Sequence, residues 1–309
     1  MMLFEGCLYH HIPVICGPTA SGKSELALSV CKEISGELVS CDSMQIYKGM
    51  DIGTAKASRE EQREIPHHMI DIVDPAEEYN VSLFQKDAYR CIEMILQKRK
   101  IPVLCGGTGQ YIQSLTLGLE FVAADENPEI KKKLEDEADR SGIGNLYERL
   151  IKIDPEAAKK IHPNNRKRVI RALEIFELTG IPMSCHNDIS RKTGPRFPFQ
   201  IFMLDKNREE LYQRINSRVD RMLEAGLLAE VRDLYLRHIG TSPTASQGIG
   251  YKELFSYYKK EITLETAIEQ IKIRSRHYAK RQITWFSHMD GVMKISSDDK
   301  ALVLQTISK

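Results

Sequence analysis

The octapeptide Gly17-Pro18-Thr19-Ala20-Ser21-Gly22-Lys23-Ser24 sets two glycines, a lysine and a hydroxyl residue at the spacing a polyphosphate requires. It follows the apolar run 12–16 and opens a helical pattern, the strand–loop–helix setting that gives the spacing its meaning. Glycines let backbone N–H groups turn toward one point. The helix start adds partial positive charge there, and Lys23 adds a full one. Ser24 offers a hydroxyl to a magnesium ion that also touches the phosphates, so Mg2+ is the expected cofactor. The motif specifies a di- or triphosphate. It specifies neither ATP nor a kinase.

Two further loops belong beside it. Residues 38–41 read as a second strand that ends at Asp42. Ligands of a parallel sheet sit beyond the C-terminal strand ends, which places Asp42 next to the phosphate loop. There it is a general base, a magnesium ligand or a plain turn carboxylate. Residues 101–105 read as another strand, ending in Gly106-Gly107-Thr108-Gly109. A nucleoside triphosphatase usually carries an acidic magnesium ligand at such a strand end. Cys105 and glycines stand there instead, which argues against an ATPase or kinase. The glycines permit close backbone approach, and Thr108 offers a hydroxyl to phosphate. Further on, Arg214 and Arg218 share a helix face, with Arg221 three residues later; one of them suits a diphosphate clamp. His67-His68 does not make a metal pair, because adjacent side chains do not face one way.

The elements that must position these loops alternate. Strand patterns at 12–16, 38–41, 68–72 and 101–105 are separated by helical ones at 23–34 and from a capping box at Ser82 to about 98. This predicts an α/β fold, a phosphate-loop NTPase-like parallel sheet flanked by helices. Strand signals then vanish until 199–204. Residues 122–195 read as an all-helical insertion domain, with 190–198 as its return linker. The core domain is then 1–121 with 196–309. Helices are expected over 208–237, broken at Gly226, and over 264–286, before a last edge strand at 292–295.

The 309 residues are 42% hydrophobic and 28% charged, with net charge +1, so the whole molecule is no generic polyanion binder. Seven cysteines (Cys7, Cys16, Cys31, Cys41, Cys91, Cys105, Cys185) form no C-x-x-C pair. That pattern fits reduced thiols and a cytoplasmic location. No signal peptide is read, and no apolar run approaches the ~18–20 residues that span a bilayer. Charge is nevertheless local. Lys159, Lys160, Arg166, Lys167, Arg168 and Arg171 crowd the insertion; Lys272, Arg274, Arg276, His277, Lys280 and Arg281 crowd the late helix. Such patches suit a nucleic-acid backbone, and Tyr278, Trp285 and Phe286 could stack on bases. Solvated helix faces with core aromatics are the plain alternative.

Together these residues resemble the bacterial tRNA dimethylallyltransferase family, the isopentenyl transferases, along nearly the whole chain. The carriers are residues 17–24; the ungapped block Asp42-Ser43-Met44-Gln45-Ile46-Tyr47-Lys48-Gly49-Met50-Asp51-Ile52-Gly53-Thr54-Ala55-Lys56; and Pro66-His67-His68 with Asp71 and Asp74-Pro75. Gly106-Gly107-Thr108-Gly109-Gln110-Tyr111, Arg168-Val169-Ile170-Arg171-Ala172-Leu173-Glu174, Ile249-Gly250-Tyr251-Lys252-Glu253 and Ala279-Lys280-Arg281-Gln282-Ile283-Thr284-Trp285-Phe286 follow. The resemblance implies transfer of a dimethylallyl group from dimethylallyl diphosphate to N6 of an adenosine. In this family that adenosine lies 3′ of the anticodon in tRNAs reading codons that begin with U. The resemblance makes Asp42 the general base and places Thr108 and Arg218 near the reacting groups. Gly17, Pro18, Thr19, Ala20, Ser21, Gly22, Lys23 and Ser24 would bind the diphosphate, with Ser24 on magnesium. Asp42, Ser43, Met44, Gln45, Lys131, Lys167, Arg168, Val169, Ile170 and Arg171 would contact tRNA, Gln45 by helping to read or hold the flipped adenosine. The partners expected are tRNA and dimethylallyl diphosphate, with no membrane and a monomeric enzyme. Departures are Ser24 for the commoner Thr, Asn165-Arg166 where many members have Asp-Pro, and Lys131 for Arg. A small-molecule kinase, a relative that prenylates free AMP, and an RNA-binding GTPase-like module are the competing readings.

Overall fold

Parallel strands buried on both faces must be apolar throughout, and the run Ile12–Cys16 shows it: every residue of this first strand is buried. The computed structural model describes residues 9–119, 121, 128–242 and 244–308. Among them the chain forms two compact units, one of residues up to Gln113 together with Phe197 onward, the other Ser114–Arg196. The expected insertion start at 122, the reading of the N-terminus as carrying no signal peptide, and Cys7 fall outside the described residues.

In chain order the elements are β1 (Ile12–Cys16), α1 (Lys23–Ile34), β2 (Glu37–Ser40), α2 (Arg59–Glu64), β3 (His67–His68), α3 (Val81–Gln97), β4 (Pro102–Gly106) and α4 (Gly109–Thr116). Then come α5 (Pro128–Ser141), α6 (Ile143–Ile153), α7 (Pro155–Lys160), α8 (Arg166–Thr179) and α9 (Met183–Thr193). The chain continues through β5 (Phe199–Leu204), α10 (Arg208–Glu224), α11 (Leu227–Leu236), α12 (Tyr251–Tyr258), α13 (Leu264–Ser287), β6 (Val292–Ile295) and α14 (Lys300–Ile307).

The sheet order is β3-β2-β4-β1-β5-β6, and all pairings are parallel. β1 pairs with β4 on one side and β5 on the other, so the loop after β1 emerges between two diverging crossovers. Such a switch point leaves a crevice for a ligand. One core packs α1 and α14 on the sheet through Leu26, Val30, Val103, Phe202 and Val303. Phe84 of α3 stacks on Tyr111 of α4 with ring centroids 3.9 Å apart. In the second unit, α5 to α8 enclose Leu134, Leu146, Leu150, Val169 and Leu173. Asp154 caps α7 through Ala157 N at 2.9 Å and accepts from Ser184 N of α9 at 2.9 Å.

The structure revises several sequence expectations. Asn80, not Ser82, caps α3, because its Oδ1 accepts from both Ser82 N and Leu83 N at 3.0 Å. Residues 190–193 belong to α9 rather than to a linker. α2 lies outside the patterns read from the sequence; a capping box between Ser58 and Glu61 nucleates it despite its lack of buried residues. α14 was not foreseen.

Glu37 in β2 is a charged side chain in the core. Its side chain is 2% exposed and meets His68 at 2.7 Å, Lys100 at 2.9 Å and Lys98 at 3.4 Å. Burial pushes its pKa up, but Lys100 and His68 outweigh burial and hold it at about 2. A depressed carboxylate stabilises the fold fully above its unfolded pKa of 4.5, and that contribution is lost as pH falls through about 2. The shift corresponds to about 3 kcal/mol at ~1.36 kcal/mol per unit. Urea midpoints measured from pH 6 to pH 2 should therefore fall more steeply for the wild type than for Glu37→Gln. Parallel curves would contradict the assignment.

Candidate active site

The phosphate loop between β1 and α1 is folded by left-handed backbone. Gly17, Ala20 and Gly22 have φ of 144°, 63° and 98°. Gly22, the N-cap of α1, takes a conformation that most side chains would strain. Lys23 folds back to donate to Pro18 O at 3.2 Å. Its ammonium is desolvated, and burial lowers its pKa although the Asp42 carboxylate opposes this. Ser21 Oγ is buried with no hydrogen-bond partner. A desolvated cation and an unpartnered hydroxyl in one loop are groups that a phosphate would satisfy.

Two distant residues hold the loop. Gln282 of α13 accepts from Thr19 N at 2.9 Å and donates to Gly107 O at 2.8 Å, tying the phosphate loop to the glycine loop after β4. Arg214 of α10 donates to Ala20 O at 3.0 Å. The glycine loop itself passes so close to β2 that a Cβ on Gly106 would lie 2.2 Å from Cys41 O. Cys105, at the strand end where an ATPase would carry its acid, is a thiol that burial raises to about 11. It stays neutral beside Lys23.

Asp42 leaves β2 half-buried, as its strand-end position implied. One carboxylate oxygen accepts from Met44 N at 2.9 Å. Thr108 Oγ1 accepts from Ser43 N at 3.0 Å and donates to Ser43 Oγ at 3.3 Å. Tyr278 lines both cavities beside these residues, and burial raises its phenol to about 12. Thr108 thus fixes the segment carrying Asp42. Arg218 donates to Thr54 O at 3.4 Å. Burial lowers the pKa of its guanidinium, and Asp42 acts against that as the nearby anion.

Two cavities meet at these residues. One of about 150 Å³ is lined by Lys23, Ser24, Cys105 and Gly106. The other, of about 270 Å³, is walled by Met44, Ile215, Val219, Met222, Tyr251 and Ile271. Thr19, Asp42, Thr54, Arg218 and Tyr278 line both. A cationic phosphate chamber therefore adjoins a more apolar one across Asp42 and Arg218.

Residues 45–289 match the family described as IPP transferase, and residues 10–78 match the one described as isopentenyl transferase. The chain belongs to the IPP transferase family. It is 49% identical over 289 residues to a tRNA dimethylallyltransferase of Acetivibrio thermocellus, covering 94% of this chain and 92% of the relative. A crystal structure of a tRNA isopentenylpyrophosphate transferase from Staphylococcus epidermidis is 42% identical, covers 97% of this chain and 98% of that one, and superposes with a TM-score of 0.69. A eukaryotic dimethylallyltransferase described as acting on tRNA is 33% identical, with a TM-score of 0.81, covering 94% of this chain and 75% of that one.

Within this IPP transferase, several expected tRNA contacts sit elsewhere than the sequence implied. Val169 and Ile170 are 0% and 5% exposed in the core of the second unit, because helical periodicity turns them inward from Lys167 and Arg168. Both Gln45 amide ends are used by the fold: Oε1 accepts from Ser40 at 2.8 Å, and Nε2 donates to Thr54 O and Ala55 O at 3.3 Å. It braces the loop and is not left open to read a base. Met44 and Ser43 line the larger cavity. In the insertion's basic cluster, Arg166 is drawn to Asp139 at 2.5 Å and Lys159 to Glu156 at 2.6 Å. Arg171 pairs with Glu174 at 3.1 Å. Lys131, Lys160, Lys167 and Arg168 are exposed and have no ion-pair partner among the described residues. Asn165 caps α8 behind them by accepting from Arg168 N at 3.3 Å. On α13, Lys272, Arg274 and Arg276 pair with Asp220, Glu253 and Glu269, leaving Lys280 and Arg281 exposed. Phe286 is buried in the core, whereas Trp285 is 40% exposed.

Sequence reasoning missed the roles of Gln282 and Glu230. Glu230 of α11 accepts from Ile52 N at 2.7 Å, Asp51 N at 2.9 Å, Gly53 N at 3.1 Å and the Tyr251 hydroxyl at 2.6 Å. It pins the loop after Asp42 to the wall of the larger cavity. Nothing local in the sequence marks either residue; Gln282 lies in one of the family-like blocks, and only pairing across the chain would have found Glu230. No described residues gather three His, Cys, Asp or Glu side chains as a metal site. Ser24 lines the phosphate cavity near Asp42. One hydroxyl, phosphate oxygens and waters form a hard-oxygen set that fits Mg2+, which keeps several waters when bound.

Proposed function

We propose that the chain transfers a dimethylallyl group from dimethylallyl diphosphate to N6 of an adenosine in tRNA, releasing diphosphate. The adenosine is the one 3′ to the anticodon in tRNAs that read codons beginning with U. The observation that carries this reading is the junction of a cationic phosphate chamber with a more apolar chamber at Asp42 and Arg218, without an acid after β4. A phosphate loop with no triphosphatase acid suits a diphosphate leaving group better than a γ-phosphoryl transfer.

The exocyclic amine is a poor nucleophile because its lone pair is delocalised into the ring. The Asp42 carboxylate accepts its proton as the N6–carbon bond forms and the carbon–oxygen bond to diphosphate breaks. Lys23 and Arg218 take up the charge growing on the leaving group, and Ser21 supplies a hydroxyl. Ser24 would hold a magnesium ion, which supplies Lewis-acid stabilisation of the diphosphate. The apolar walls receive the flipped base and the allyl chain. Thr108 positions Asp42 through Ser43. The enzyme acts in the cytoplasm as a monomer, and no helix of the described residues is long and apolar enough to cross a membrane.

The exposed cations of the second unit suit the RNA backbone. Neutralising Lys167 and Arg168 to glutamine should weaken tRNA binding and reduce the slope of log affinity against log salt by about 2, near 0.9 per phosphate contact. A slope equal to the wild type's would place the backbone contact elsewhere. The reading as a whole is tested by incubating protein, magnesium and labelled dimethylallyl diphosphate with unmodified tRNA, and with AMP in parallel. Label should enter tRNA. Label in AMP alone would make the chain a free-nucleotide prenyltransferase. Label in neither, with ATP hydrolysed beside a small acceptor, would favour a kinase.

A further inference from the structure

A third cavity, of about 530 Å³, lies against the phosphate chamber and shares Ala55, Lys56, Ala57 and Arg218 with it. Its other charged lining is Arg59, Arg221, Asp51 and Asp71. Lys56 is bonded to both carboxylates, at 2.5 Å to Asp51 and 2.6 Å to Asp71, with its own side chain 2% exposed. Both carboxylates are thus engaged by Lys56. The arginines are not engaged in the same way. Arg221 makes one hydrogen bond, from Nε to Ser217 O at 3.4 Å, and Arg59 and Arg221 form no ion pair among the described residues. Asp220, the carboxylate beside Arg221 in sequence, is taken by Lys272 at 2.6 Å. Four cations against two carboxylates leave an excess of two positive charges in the lining.

Surface arginines without carboxylate partners, converging on a concave site, are donors for phosphate oxygens, because the guanidinium fork matches that geometry. Their arrangement along α10 gives a direction. Arg214 bonds the phosphate loop, Arg218 stands in both cavities, and Arg221 follows one helical turn farther out. We infer that the cleft of Arg59 and Arg221 is a second phosphate subsite, which receives diphosphate on its way past Arg218 between the phosphate loop and solvent. It rests on the proposed reaction for the identity of that anion. An RNA backbone phosphate offers the same chemistry.

The test is calorimetric titration of the full chain with inorganic diphosphate and magnesium, which does not depend on turnover. The wild type should show a tight phase and a weak one. Lys23→Ala should lose the tight phase. Arg59→Gln with Arg221→Gln should keep the tight phase and weaken the second by about tenfold or more, the scale of a lost charged hydrogen bond. The Arg59→Lys/Arg221→Lys pair should restore part of it. Both positions are exposed, so an unaltered thermal midpoint checks that the fold is intact. If the double glutamine variant keeps the weak phase but loses about 2 from the salt slope of tRNA binding, the subsite stands and its phosphates belong to RNA. A single phase in the wild type, or a double variant unchanged in both titrations, overturns the inference. Failure of the labelling assay with two diphosphate phases intact would sink the proposed reaction and leave the subsite.

Discussion

Asp42→Asn should lower turnover by about 10²–10⁴-fold, the range a positioned general base contributes, while tRNA affinity stays near that of the wild type. The amide preserves the shape of the side chain. Its carbonyl oxygen still accepts from Met44 N, as the carboxylate does at 2.9 Å. Thr108 still holds Ser43 from the other side. The loop therefore keeps its geometry, and only the capacity to take a proton is removed. Single-turnover transfer from labelled dimethylallyl diphosphate, beside a filter-binding titration of tRNA, separates the two effects. Near-normal transfer in this variant would remove Asp42 as the base. A matched loss of tRNA affinity would make it a structural residue.

Lys23→Ala should cost about 10²–10³-fold in kcat/KM for the prenyl donor, as expected when a preorganised charge on the leaving group is deleted. Lys23 stands desolvated in the phosphate chamber, and burial lowers its pKa. The protonated form binds diphosphate, so affinity should fall as pH rises through the lowered pKa, earlier than the ordinary value of 10.5 would allow. Donor affinity measured from pH 7 to pH 10 reports this directly. An affinity unchanged in Lys23→Ala, or flat across that range, would contradict the assignment of the loop.

These two residues were legible in the sequence for different reasons. Lys23 lies in a contiguous motif whose chemistry is carried by neighbours in the chain. Asp42 was placed by topology, since a strand end beside the phosphate loop brings whatever follows it to the same edge. The six-stranded parallel sheet follows from the same alternation of patterns. Gln282 shows what such reading misses. It braces the phosphate loop from 263 residues away, on a helix whose local pattern reads only as basic and amphipathic. Glu230 is hidden in the same way, since three backbone amides recognise it and backbone leaves no trace in a sequence. Val169 and Ile170 show the opposite error. A contiguous block was read as one surface, but a helix presents its residues in all directions, and these two fill a core. The basic cluster misled for a related reason: three of its six cations are answered by carboxylates, one of them 27 residues off in sequence and two a single helical turn away.

In the proposed reaction an adenosine amine in tRNA attacks a prenyl carbon across Asp42 while diphosphate leaves into the phosphate chamber. The most direct test is to let the protein act on one unmodified tRNA, map the label by nuclease digestion and nucleoside mass spectrometry, and measure released diphosphate in the same tube. Label is expected on N6 of the adenosine 3′ to the anticodon, with one diphosphate released for each group transferred. Label on another atom or another residue of the tRNA, or diphosphate released without transfer, would contradict it.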